Sequence, residues 1–112
     1  MSNTFETELF QSDGVPTLVT ILTIHITNIS ICESLSGVFA KLSETPNGRD
    51  ETIKALPILV QAYVTHPDSK TLFELMTIIV ENVSQTKMGE NACINAGAID
   101  ALVTGVSLHG SI

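Results

Sequence analysis

The 112-residue chain carries twelve acidic against five basic residues, a formal net charge of −7, and its cations are scattered as Lys41, Arg49, Lys54, Lys70 and Lys87. Such a balance repels a nucleic-acid backbone or an anionic membrane surface, so no nucleic acid and no membrane is expected as a partner. Hydrophobic residues make up 44% and charged residues only 15%, which points to one packed domain, 1–112, with apolar surface left over for a protein partner.

The chain opens on the acidic stretch Met1 to Glu8, which lacks the cationic start and apolar run of a signal peptide, so a cytoplasmic or nuclear place is expected. A short helix is predicted from Phe5 to Ser12, a second from Pro16 to Thr27, and a third that opens near Asn28 and ends near Ser43. The region from Val15 to Cys32 is the most apolar, but His25, Asn28 and several Thr and Ser interrupt it before it reaches the ~20 residues of a membrane helix. Within it, Thr23-Ile24-His25-Ile26-Thr27 alternates apolar and polar residues and locally reads as a strand. Its match to helix-forming segments further along favours helix.

Thr45-Pro46-Asn47-Gly48 reads as a turn, followed by a short helix from Arg49 to Ala55, a second from Leu56 to His66 and a third from Asp68 to Gln85. Pro67 bars continuation of the second helix, and Asp68 or Ser69 can cap the third. Met88 to Ala96 and Ala98 to Leu108 supply two more helices. Between Leu108 and Ile112 there is no length for another, so the apolar residues Leu102, Val103 and Val106 are expected to expose part of a core face.

These segments are copies of one pattern. His25 and His66 lie 41 residues apart, and His66 and His109 lie 43 apart. Upstream of each recur Val15-Pro16-Thr17-Leu18-Val19, Leu56-Pro57-Ile58-Leu59-Val60 and Ile99-Asp100-Ala101-Leu102-Val103. At the constant offset of 41, Ile31, Leu35, Val38, Phe39 and Leu42 fall on Leu72, Met76, Ile79, Val80 and Val83, and both sets follow the spacing of an amphipathic helix face. A period of this length belongs to helical repeats, and the boundaries fall at 1–43, 44–85 and an incomplete 86–112.

Asn95-Ala96-Gly97-Ala98-Ile99-Asp100-Ala101-Leu102-Val103 and Asp13-Gly14-Val15-Pro16-Thr17-Leu18-Val19 resemble the helix-junction signature of armadillo repeats, and Val80-Glu81-Asn82-Val83 resembles the ending of that family's third helix. The resemblance covers nearly the whole chain and implies an all-α fold, a right-handed α-solenoid of three-helix repeats that holds protein partners and performs no catalysis. In that family the third helices line a concave groove, where a Trp and an Asn four residues later grip an extended peptide. By position the pair falls on Ile78 and Asn82 in the second unit and on Gly37 and Lys41 in the first, and only Asn82 matches.

Two candidate surfaces follow. One is the third-helix stripe of Glu33, Gly37, Lys41, Glu74, Ile78 and Asn82, whose spacing puts each trio on one helix face and whose acids suit a basic or extended segment. The other is the open end of Leu102, Val103 and Val106, suited to a larger complex or to self-association. The aligned histidines are expected at helix ends, bonding free carbonyls. Cys32 and Cys93 read as structural. No phosphate-binding, dinucleotide, nucleophile-elbow or zinc-protease motif occurs, so no cofactor, no metal and no enzyme activity is expected.

Overall fold

A computed structural model describes residues 14–110. The described residues form six helices and no strand: α1 Gly14–Ile24, α2 Ile29–Leu42, α3 Pro46–Thr65, α4 Lys70–Val83, α5 Lys87–Ala96 and α6 Ala98–His109. The expected short helix from Phe5 to Ser12 lies outside the described residues. Thr23 and Ile24 close α1 and residues 25–27 form a turn, so the strand-like alternation there is overridden by packing. No single described helix is long and apolar enough to cross a membrane.

Capping residues set four of the helix starts. Asn28 Oδ1 accepts from the Ile31 amide at 3.1 Å, Thr45 Oγ1 from Gly48 at 3.1 Å, Ser69 Oγ from Leu72 at 3.0 Å and Thr86 Oγ1 from Gly89 at 3.1 Å. Each satisfies an amide that a helix start leaves orphaned and contributes ~1 kcal/mol. The cap at Thr45 corrects the expected turn. Thr45 caps, Pro46 takes the first helical position where its missing N–H costs nothing, and residues 46–48 become the first turn of α3.

A second correction concerns the same helix. The break expected between Ala55 and Leu56 is absent, and α3 runs unbroken for 20 residues with Pro57 inside it. In the third unit the equivalent junction holds Gly97 at φ 77°, a left-handed conformation that ends α5 and turns the chain by 67° into α6. By the histidine alignment the second unit has Lys54 there, for which the left-handed region is unfavourable, and the helix continues. The third-helix segment is also shorter than expected, since Ser69 rather than Asp68 caps it and it ends at Val83.

Equivalent helices lie side by side: α2 packs on α4, and α3 packs on both α1 and α6. The core runs through this double row, with Leu22, Phe39, Leu56, Leu59, Leu72 and Ile79 at most 2% exposed. The central α4 buries all five of the apolar positions predicted for it, Leu72, Met76, Ile79, Val80 and Val83. On α2 the matching Ile31, Leu35 and Val38 are only partly buried, while Phe39 and Leu42 are closed off.

Tight spots fix the stagger between units. A β-carbon on Gly48 would overlap the Leu42 carbonyl, and one on Gly89 would overlap the Val83 carbonyl. The two glycines are 41 residues apart, each in a Thr-x-x-Gly helix start. Each lets its helix start rest directly on the end of the preceding third-position helix.

Candidate interaction surfaces

The α2 and α4 stripe is partly consumed by the fold. Ser69 Oγ donates to Glu33 Oε2 at 2.7 Å, tying the start of α4 to α2. Near the other end Asn82 Nδ2 donates to Ser43 Oγ at 2.9 Å, and Ser43 Oγ in turn donates to the Ala40 carbonyl at 2.7 Å. Glu33 and Asn82 therefore clamp neighbouring helices, each bond adding ~1 kcal/mol, somewhat more where the carboxylate accepts. Lys41 is exposed and pairs with Glu44 at 3.5 Å, a solvated ion pair, worth little. Glu74 is exposed, Ile78 is 41% exposed, and Gly37 has open space where a side chain would stand.

The second surface is built from the second-position helices. Each carries two stripes. A backward stripe meets the preceding unit and holds Ile21 and His25, then Ala62 and His66, then Gly105 and His109. A forward stripe meets the following unit and holds Val19, Leu22 and Ile26, then Val60, Tyr63 and Pro67, then Val103, Val106 and Gly110. The junction between the second and third units shows how they engage. A β-carbon on Gly105 would overlap the Tyr63 hydroxyl and the Phe73 ring, so α6 approaches α3 as closely as glycine permits. The Tyr63 hydroxyl has no hydrogen-bond partner among the described residues, and burial raises its pKa above the usual tyrosine range.

The histidines bridge these junctions. His66 Nε2–H donates to the Ile26 carbonyl at 2.8 Å, and His109 Nε2–H donates to the Pro67 carbonyl at 2.8 Å. Because a carbonyl only accepts, the ring nitrogen facing it must carry the proton. In both cases the acceptor is the residue after the preceding histidine, so the rings do not serve the ends of their own helices. His109 also stacks on Phe73, with ring centres 5.1 Å apart. The Ile26 carbonyl receives a second donor, Cys32 Sγ at 3.2 Å. Burial and then the charge of Glu33 push the Cys32 thiol up, and burial does the same to Cys93 despite its contact with Ser84. Neither thiol is poised as a nucleophile.

Exposure along the forward stripe separates the units. Val60 is 6% and Tyr63 3% exposed where the third unit adjoins them, whereas Val103 is 65% and Val106 46% exposed. Ile99, at 44%, extends the same strip of α6. Leu102 is partly buried and packs against the core, so of the three residues expected at this end it is the least available. The backward stripe of the first unit is likewise open, with Ile21 37% exposed and His25 exposed.

Sequence reasoning missed the glycine contacts and the Ser69 to Glu33 bond. The Thr-x-x-Gly recurrence was a findable signal, while a serine and a glutamate on separate helices carry none. Among the described residues no group of three His, Cys, Asp or Glu side chains could hold a metal ion. Comparison with protein-family models, curated proteins and solved structures finds no match to this chain.

Proposed function

We propose that the chain is a non-enzymatic protein–protein interaction scaffold, an armadillo-type right-handed α-solenoid acting as a structural subunit or segment of a larger cytoplasmic assembly. The observation that carries this reading is the exposed apolar strip of Ile99, Val103 and Val106 on α6, whose counterparts Val60 and Tyr63 are buried in the preceding unit. Fully burying a Val or Ile side chain is worth ~1.5–3 kcal/mol, so three left open on one helix face form a strong docking surface. The spacing of 41 and 43 residues between the histidines and the side-by-side packing of equivalent helices support the solenoid reading.

A peptide-binding adaptor that uses the α2 and α4 stripe is the weaker alternative. Glu33 and Asn82 are already engaged in holding the helices together, which leaves Gly37, Lys41, Glu74 and Ile78 to form a groove without an aromatic surface.

Val103 is a cleaner probe than Leu102, because Leu102 packs on the core. In an unfractionated extract of its source, the chain is expected to elute by size exclusion within a large complex, and Val103→Glu should release it while leaving its helical circular dichroism unchanged. Elution of the unaltered chain near its own 12.0 kDa would overturn the scaffold reading.

A further inference from the structure

The two open stripes are the two halves of one junction. Among the described residues a forward stripe meets a backward stripe twice, α1 with α3 where His66 reaches Ile26, and α3 with α6 where Gly105 meets Tyr63 and His109 reaches Pro67. The backward stripe of α1 and the forward stripe of α6 are the remaining halves among the described residues, one at each end of the described row. Both are exposed, with Ile21 at 37% in the α1 stripe and Ile24 at 69% flanking it, and Val103 at 65% and Val106 at 46% on α6. We infer that the chain stacks head to tail on a second copy of itself, the α1 face of one molecule seated on the α6 face of the next.

Shape supports the fit. Within the chain the junction pairs a large forward residue with a small backward one, Tyr63 against Gly105, while Leu22 and Ala62 are each fully buried on the packed helices α1 and α3. Between copies the forward residue shrinks to Val106 and the backward residue grows to Ile21, so space lost on one side is returned on the other. The polar part of the junction is also present. His25 is exposed, and Gly110 follows His109 as Ile26 follows His25 and Pro67 follows His66. The His25 Nε2–H would donate to the Gly110 carbonyl, repeating the bonds that His66 and His109 make to the preceding unit.

Such a contact is heterologous, joining different faces, and does not close on itself as a twofold dimer does. It therefore builds chains of copies, or rings where the rotation permits. The net charge of −7 on every copy opposes stacking, so the contact strengthens as salt screens it, and ~0.15 M ionic strength is the condition to use. One inter-unit contact is a small interface, which sets the expected dissociation constant at roughly 1–100 µM.

The inference rests on the same α6 strip as the scaffold reading but is tested separately, on the purified full chain by sedimentation velocity. The unaltered chain is expected to show a mass that rises with concentration. Ile21→Glu blocks only the α1 face and Val103→Glu only the α6 face, so each alone should sediment as a monomer. Mixed at equal concentration, each variant still offers the face the other lacks, and the mixture should form a dimer of about twice 12.0 kDa that grows no further. Ile24→Glu with Val106→Glu provides a second pair should either first variant unfold.

A monomeric unaltered chain at high concentration would overturn the inference, as would a mixture that stays monomeric. So would an Ile21→Glu variant that still dimerises, since that is the signature of an α6 to α6 contact. A purified chain that stays monomeric while the chain in extract runs in a large complex released by Val103→Glu would sink self-stacking and leave the scaffold reading standing.

Discussion

Gly105 is the point where α6 comes closest to the rest of the molecule, and its lack of a β-carbon sets how closely the last unit docks. Alanine there would have to displace the Tyr63 hydroxyl and the edge of the Phe73 ring. Tyr63 is 3% and Phe73 2% exposed, so both rings sit among packed neighbours. Phe73 also carries the stacked His109, whose ring reaches the Pro67 carbonyl. Moving one ring therefore disturbs the packing, the stacking and the histidine bond together. Gly105→Ala gains ~1 kcal/mol of helix propensity, against an overpacking cost of roughly 1–3 kcal/mol. Net destabilisation of up to ~2 kcal/mol is expected, read as a lower urea midpoint at an unchanged slope. A midpoint above that of the unaltered chain would show that the contact yields at less cost than the helix propensity gained.

At the scale of the element, α3 separates what periodicity reveals from what it hides. Helix-period spacing located every described helix, and at Thr23 to Thr27 the repeat's helix reading held for Thr23 and Ile24 while residues 25–27 form a turn. The start of α2 was legible because Asn28 is a strong cap followed by an amphipathic run. The continuity of α3 was not legible, because Pro57 reads as a first-turn proline wherever a helix start is expected. The decisive signal stood three residues before it, at Lys54. Gly97 breaks the third unit by adopting the left-handed region, and no glycine stands at the corresponding place in the second. Pro57 thus sits inside a helix without an N–H to offer the Ile53 carbonyl. Restoring the donor with Pro57→Ala should stabilise the chain, since an interior proline costs ~3 kcal/mol relative to alanine, less the ~0.4–1 kcal/mol by which proline restricts the unfolded chain. A rise in thermal midpoint is the expected reading, and a fall would mean that the chain needs a bend at Pro57 to reach both the first and the third units. The candidate surfaces divide in the same way. The α6 strip was legible because burial follows from position in the row. The roles of Glu33 and Asn82 were not, because each depends on a partner about 40 residues away that no local pattern indicates.

For the whole molecule, stability in a row of stacked units is the sum of what each unit does alone and what it shares with its neighbours. Among the described residues the second unit packs against units on both sides and the first and third against one each, so protection should peak in the middle. Burial along the helices agrees. The α4 helix closes off six residues and α3 eight, whereas α1 closes off Val15 and Leu22 and α6 only Ala98 and Gly105. The last unit is held by the histidine bond to Pro67 and the close approach at Gly105, with Val103 and Val106 adding little while exposed. Amide exchange should therefore be slowest in the second half of α3 and in α4, and distinctly faster in α6, which opens without unfolding the rest. The measurement belongs on the Val103→Glu variant, because a second copy seated on α6 would supply the missing neighbour and slow the exchange of that helix. Uniform protection from α1 to α6 in that monomeric variant would show a single cooperative core, and stability would then not divide by unit at all.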